Sequence, residues 1–539
     1  MARYAKFFSV GAGGGGTNNL QLPVGTILDT TLRQVQDGTG TGSPLYLSTR
    51  RVGITSDSSV TTQTSSVIQA TTTNANLVIA PNGTGGLIAS VPDGTATGGN
   101  ARGAYSVDLQ TSRSTAANVA SGNFSTIIGG GGCTASGQYS VAGGLGSSSS
   151  NYGGVTFGNS NTNNSYGGVV SGGQNNTGGN ADYVTISGGR FNNTTGSTNG
   201  VIAGGISNTA SSNFSVVSGG QSNAASTATH ATVVGGQSNT SSGNGSISGG
   251  FTNTASGQYS VALGNNNIAS GNGCVSLGSS NTSQFGTSVS IGSSNVGSNN
   301  RTYAFGTSNN ISAGDSVGLG NANTLSGGNN LYAFGSGNVM SGIQSYAIGY
   351  QNSVGTNNGM SLGFSGNVSA PYATSMGLWS RAYLYGQVSM ANGLLGGAQN
   401  AQQSLLTAYK LDALASNATT ILSLDGTGVT NLIIPFGSNR LWAVKVVATA
   451  FVSVAGGTLV LGDSYMGEFT LLFKRVGGTS SVVGVNAGNI IYDTNMATAA
   501  FTFAAGASQD LQITFKAPTT ASATTFRCVA KVELVEVAY

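Results

Sequence analysis

The sequence predicts an all-β protein: a trimeric parallel β-roll or solenoid shaft of about 14-residue repeats, followed by a C-terminal antiparallel β-sandwich domain. Three observations lead there. A glycine recurs at a nearly constant step through the middle of the chain, an apolar residue precedes it by three positions, and an asparagine follows it by three. Past residue 411 the rhythm is replaced by runs of alternating apolar and polar residues between Gly, Asn and Asp turns.

The glycine series runs from Gly130 through Gly250, Gly264, Gly278, Gly292 and Gly306 to Gly377. Ile127, Val233, Val261, Val275, Val289 and Tyr346 belong to the apolar column ahead of it, and one position before the glycine stand Leu263, Leu277, Ile291 and Phe305. Residues two apart share one face of a strand, so Val261, Leu263, Val275, Leu277, Val289 and Ile291 are the expected repeat core. In most earlier rungs the position before the glycine is itself Gly, which predicts a core thin in the first half and thicker in the second. The expected corners are Gly264, Asn267, Gly278, Asn281, Gly292 and Asn295: glycine permits a positive φ, and stacked asparagines bond up and down a ladder.

Rungs stacked at strand spacing give a rod of roughly 85 Å. One such rung buries too few apolar side chains to stand alone. Three parallel chains around an axis would cover the apolar face, so a homotrimer is expected. Charge agrees with this, because strictly between Arg113 and Arg381 the only charged residues are Asp182, Arg190, Arg301 and Asp315.

Composition removes other classes. Of 539 residues 88 are Gly, and charged residues make up 6% against roughly 25% in ordinary soluble domains. Disorder is disfavoured by 38% hydrophobic residues, 19 Phe, 19 Tyr and only 7 Pro. A net charge of +3 gives no reason to expect nucleic acid. Cys133, Cys274 and Cys528 are far apart and lack metal-ligand spacing, so they read as small buried hydrophobes, and no cofactor or metal is expected. The start carries no signal-peptide pattern and no apolar run spans a bilayer, which predicts synthesis in the host cytoplasm without membrane insertion.

The stretches Ser260–Gly264 (SVALG), Cys274–Gly278 (CVSLG) and Ser288–Gly292 (SVSIG), each followed by an Asn, resemble the head repeats of trimeric autotransporter adhesins. That resemblance implies a trimeric left-handed parallel β-roll. No signal peptide, heptad stalk or membrane anchor accompanies it, which points away from a bacterial surface adhesin. Leu77–Gly86, Val91–Gly94 and Gly98–Gly103 resemble lead-ins to repeats in tailed-phage fibre proteins, and the C-terminal β-rich region resembles the terminal domains of phage tail fibres.

The expected organisation is a virion-attachment segment over 1–43, a β-rich collar over 44–119, the shaft over 120–381, a connector with Gln387, Gln399, Gln402 and Gln403 over 382–411, and a sandwich tip over 412–539. In the first segment Arg3, Tyr4, Lys6, Phe7 and Phe8 precede a glycine-rich stretch and suit docking to other virion proteins, with a disordered tail as the competing reading of equal weight. The expected function is a phage virion fibre, tail fibre-like and located on the particle surface, attaching to a host-surface glycan or protein through its distal tip without enzymatic activity. The alternatives are a tailspike-type polysaccharide depolymerase and a purely structural head fibre or decoration protein.

Chemistry has few candidates. His230 is the sole histidine and reads as a solvated loop residue. Gly129–Gly132 lack the Lys-Ser/Thr of a phosphate loop. Glycoside hydrolysis needs paired carboxyl groups, and acidic residues cluster mainly after the shaft: Asp412, Asp425, Asp463, Glu468, Asp493, Asp510, Glu533 and Glu536. Trp379, Tyr383 and Tyr385, after the last rung, are candidate glycan-stacking residues, with aromatic capping of the solenoid end as the competing role.

Overall fold

The computed structural model describes residues 33–36, 42–47, 52–54, 79, 81–392, 401–427 and 439–538. The docking candidates Arg3 to Phe8 and the strand-like run Ser66–Ala70 lie outside the described residues, as do parts of the connector. The chain divides into two units at Asn82/Gly83. In the first, Gly42–Leu47 pairs antiparallel with Arg33–Gln36 and with Val52–Ile54.

The second unit opens with the solenoid. Each turn has a longer strand, such as Val261–Asn265, and a two-residue strand, such as Ile268–Ala269. Both stack parallel and in register on the next turn: Val261 on Val275, Gly264 on Gly278, Ile268 on Thr282 and Ala269 on Ser283. Two left-handed corners join them, at Asn266 (φ 54°) and at Tyr259 (φ 54°) in this turn. Gly278, with φ 114°, has a further constraint: a Cβ there would collide with the carbonyl oxygen of Gly292 in the next turn.

Inside the corner runs an asparagine ladder. Every member from Asn161 to Asn352 is buried. In one link, the Asn281 backbone N–H and Nδ2 donate to Oδ1 of Asn267, both at 3.0 Å. Nδ2 also lies 2.8 Å from the carbonyl oxygens of Leu277 and Gly292. One side chain thereby satisfies backbone groups in its own turn and the next and bonds the asparagine of the turn before, as a buried corner requires.

The faces of the strands differ from expectation. Val261, Leu263, Val275, Leu277, Val289 and Ile291 are only partly buried and point away from the interior of the turn. The fully buried residues are those between them, Ala262, Ser276 and Ser290, facing Ala269, Ser283 and Gly297 across a narrow lumen. Small side chains fit there and large ones do not.

In another group of turns the residue three before the glycine does point inward: Val170, Ile186, Ile202, Val217 and Val233 have no exposed surface. The cause is an extra residue ahead of the glycine. Val233 pairs with Ser248 and Gly236 with Gly250, so two residues oppose one, and the alternation of faces slips by one. The expected thin-then-thick core is accordingly corrected. The lumen holds β-branched residues from Val170 to Val233, then Ala and Ser, then large residues from the short strands, Ile311, Leu325, Met340, Val354 and Val368.

The lumen starts at a charged plug. Asp108 occupies the interior position that pairs with Ile127 in the next turn. Its Oδ2 accepts from Arg102 Nε at 2.8 Å and Arg113 Nη2 at 3.3 Å, with all three side chains buried.

At the other end Val388–Asn392 continues the long-strand stack from Thr374–Leu378 and pairs antiparallel with Ala401–Leu414. Residues 382–411, expected as a connector, thus hold the last stacked strand and most of the first sandwich strand. That strand leads a five-stranded antiparallel sheet with neighbours Thr524–Ala538, Asn439–Val454, Ser464–Val476 and Thr479–Tyr492. A second sheet of Thr419–Leu422, Leu511–Lys516 and Ala500–Ala505 packs against it. Trp442, Phe473, Phe515, Phe526 and Leu406 fill the space between.

Two predictions follow from this packing. Asn281→Ala removes the acceptor for Asn295 and the donor to Leu277 and Gly292, and is expected to destabilise the shaft by about 2–3 kcal/mol in denaturant melts, with Asn281→Asp failing to rescue because it restores only the acceptor. Cys133, Cys274 and Cys528 are fully buried, and burial pushes each thiol above its usual range. The native protein should therefore resist thiol reagents at neutral pH and react at all three positions only when unfolded.

Candidate functional surfaces

The outward face of the long strands forms an unbroken stripe. Its first row runs in register through Val155, Val169, Thr185, Val201, Val216, Thr232, Ile247 and Val261, so the turns that differ inside agree outside. The second row is Ser171, Ser187 and Ser218 in the first half and Leu263, Leu277, Ile291, Phe305 and Leu319 in the second. Leu319 and Ile348 are each 45% exposed in the single chain. A stripe that is apolar at most turns of its first row and in both rows from Val261 to Leu319 marks an interaction face.

A second feature lines the corner that precedes the long strand. Tyr105, Phe124, Tyr139, Tyr152, Tyr166 and Tyr183 form a column with ring centroids 4.9 to 5.7 Å apart. The stacked members cover one another's faces and present edges, which suits rung-to-rung cohesion better than a sugar platform. Farther along, His230 is exposed and stacks on Phe214 at 5.0 Å, and Arg301 pairs with Asp315, Nη2 to Oδ2 at 2.8 Å. Two of the four charged residues strictly between Arg113 and Arg381 are therefore spent on each other, and the pair holds Asp315 below the usual carboxylate range.

The three candidate stacking aromatics occupy different points of the last turns. Trp379 sits in the left-handed corner (φ 61°) and meets Phe364 edge-on at 5.8 Å. Tyr385 leans on Tyr372 at 5.2 Å. Tyr383 packs against the sandwich core and donates its hydroxyl to Glu536 Oε2 at 2.7 Å. Burial, with the Glu536 charge second, raises the Tyr383 hydroxyl well above the ordinary tyrosine range. Its ring belongs to the junction and offers no free platform.

Around Glu536 the shaft and the sandwich are tied together. Gln402 Nε2 donates to Glu536 Oε2 at 3.2 Å, and Arg440 Nη1 pairs with Oε1. Gln402 Oε1 accepts from the Arg381 backbone N–H at 3.1 Å and from Ser389 Oγ at 3.0 Å. Gln387 accepts from the N–H groups of Tyr383 and Leu384 and donates to Ser404 Oγ at 2.7 Å. The two glutamines thus satisfy the polar groups at the open end of the lumen. Their spacing alone held no such signal.

The acidic residues of the sandwich serve local geometry. Asp463 Oδ2 accepts from the Val460 N–H and from Asn495 Nδ2, while Asp493 accepts from Ser464 N–H and Oγ. Asp412 accepts from Thr420 and Asp425 from Ser423 and Thr427, and Glu533 pairs with Lys531 at 2.8 Å. Glu468 is half-buried, and Asp510 is fully buried with neither carboxylate oxygen bonded. Among the described residues no three His, Cys, Asp or Glu side chains group as metal ligands.

Glu536→Gln leaves Arg440 facing a neutral partner in a nearly closed site, and should lower sandwich stability by about 3 kcal/mol in denaturant melts. The Tyr383 contribution has the opposite pH sense from a carboxylate. With its native pKa raised, the stability it adds is complete below about pH 10 and falls as pH rises further, so Tyr383→Phe should flatten the alkaline limb of a stability–pH curve.

No protein-family model and no curated protein matches the chain. Among solved structures it aligns with the tailspike protein of Acinetobacter phage vB_ApiP_P1 at 10% identity and a TM-score of 0.21, covering 81% of this chain and 82% of that one. It also aligns with the tailspike protein of Acinetobacter baumannii phage AM24 at 7% identity and a TM-score of 0.14, covering 84% and 77%. Likeness at that level leaves the function to be argued from this chain's own surfaces.

Proposed function

We propose that the chain is one subunit of a homotrimeric phage virion fibre, of the tail-fibre kind, whose solenoid is the shaft and whose sandwich is the tip that contacts the host surface. The observation that carries this reading is the outward stripe. It presents one or two side chains per turn in register from Val155 to Met376, a surface comparable to the roughly 20–30 residues a side of a stable interface. Largely apolar rows, few charges and an in-register stack favour association lengthwise between identical chains, and three copies close a ring without an open edge. Attachment to the particle belongs to the N-terminal region and host contact to the far end. Several tips held together raise the effective concentration of weak glycan or protein contacts. The carboxylates support adhesion over depolymerase chemistry in that most of them are committed to loop hydrogen bonds or ion pairs.

The native full-length protein is expected to have a mass of about 160 kDa, three times the 53.3 kDa chain. Leu277→Lys with Ile291→Lys places charge on the stripe without touching the lumen, and should shift the mass toward one chain in light scattering. A mass unchanged by that pair would remove the stripe from the interface. Removing residues 401–539 while the shaft stays multimeric should abolish binding to bacteria sensitive to the phage that carries the fibre. Retained binding would move the adhesive function elsewhere.

A further inference from the structure

The long-strand sheet of the shaft and the five-stranded sheet of the sandwich are hydrogen-bonded into one sheet through Val388–Asn392. Cross-strand partners share a face, so an outward row can be followed from one into the other. The second row of the stripe passes from Met376 to Met390, then to Gln403, Val535, Ala443 and Leu472. Met390 is 41% exposed, Val535 50% and Leu472 44%. The first row changes character at the same boundary, running from Val388 through Leu405 to Glu533, Lys445 and Thr470.

We infer that a second copy of this chain packs on that row, carrying the contact between shafts onto the outer face of the sandwich. The inference rests on reading the shaft stripe as the interface between copies. Continuity is its main support: the row leaves the shaft without a break in register and without a charged residue. Charge placement is the second. Glu533 and Lys445 stand in the adjoining row, with Lys531 paired to Glu533, as ions do at the rim of an apolar contact. A shaft contact also holds the neighbouring sandwich close, so a narrow row is enough to seat it. The outer sheet face is then closed to receptor, and host contact is left to other faces of the tip.

Thiol accessibility in the full-length protein tests this, because the natural cysteines are buried. Leu472→Cys and Val535→Cys are compared with Leu461→Cys, a position 72% exposed in the sandwich loop 455–463. Under native conditions a maleimide should label the first two variants at least about ten-fold more slowly than the third, since reaction waits for local opening of the contact. A short bismaleimide should link chains of the Leu472→Cys variant covalently. Mass measured on the same samples separates the outcomes. A multimer in which positions 472 and 535 label as fast as 461 overturns this inference alone. A monomer overturns the shaft reading and this one with it. Fast labelling that is suppressed only by host cells would make the row a receptor surface and also overturn it.

Discussion

A turn of about 14 residues folded into two strands and two corners encloses room for little more than one side chain from each strand. The pairs across the lumen show the limit: Ala262 with Ala269, Ser276 with Ser283 and, where the short strand carries Ile311, Gly318 beside it, with no room for a Cβ. A larger apolar side chain on the long strand turns inward in the bulged turns, where Ile202 and Val217 are buried together with Ala210 and Ala225; in most other turns it points out. The interior supplies modest hydrophobic stabilisation per turn, so cohesion along the axis depends on backbone pairing, on the asparagine ladder and on stacked corner residues.

Both ends of such a stack need polar solutions. At the start, Arg102 and Arg113 close over Asp108 where the next turn would have placed an apolar residue. At the finish, Gln387 and Gln402 satisfy the last backbone groups, and Glu536 fastens Tyr383 and Arg440 beside them. The sandwich is therefore built onto the last turn as a continuation of its sheet, and the proposed fibre would transmit load from shaft to tip through paired strands.

Corners were legible in the sequence because their demands fall on single residue types. Only glycine survives at Gly278, and only an amide of asparagine length reaches both the carbonyl of its own turn and the carbonyl of the next. Face assignment was harder. An apolar residue three before each glycine looks like one column, yet Val233 points in and Val261 points out, because the bulge between Val233 and Gly236 is invisible to a count that starts from the glycine. The extent of the sandwich was misjudged for a related reason: Ala401–Leu414 ends the 14-residue rhythm while continuing the same sheet. The roles of Gln387, Gln402 and Tyr383 depend on partners up to 153 residues away, which local pattern does not carry.

The most direct test of the account is a cryo-EM reconstruction of the purified full-length protein. The account predicts three parallel solenoids with Val275, Leu277, Val289 and Ile291 facing the common axis and the corners of the stack turned away from it. A reconstruction in which those side chains face solvent, or in which the chains meet through their corners, would contradict it.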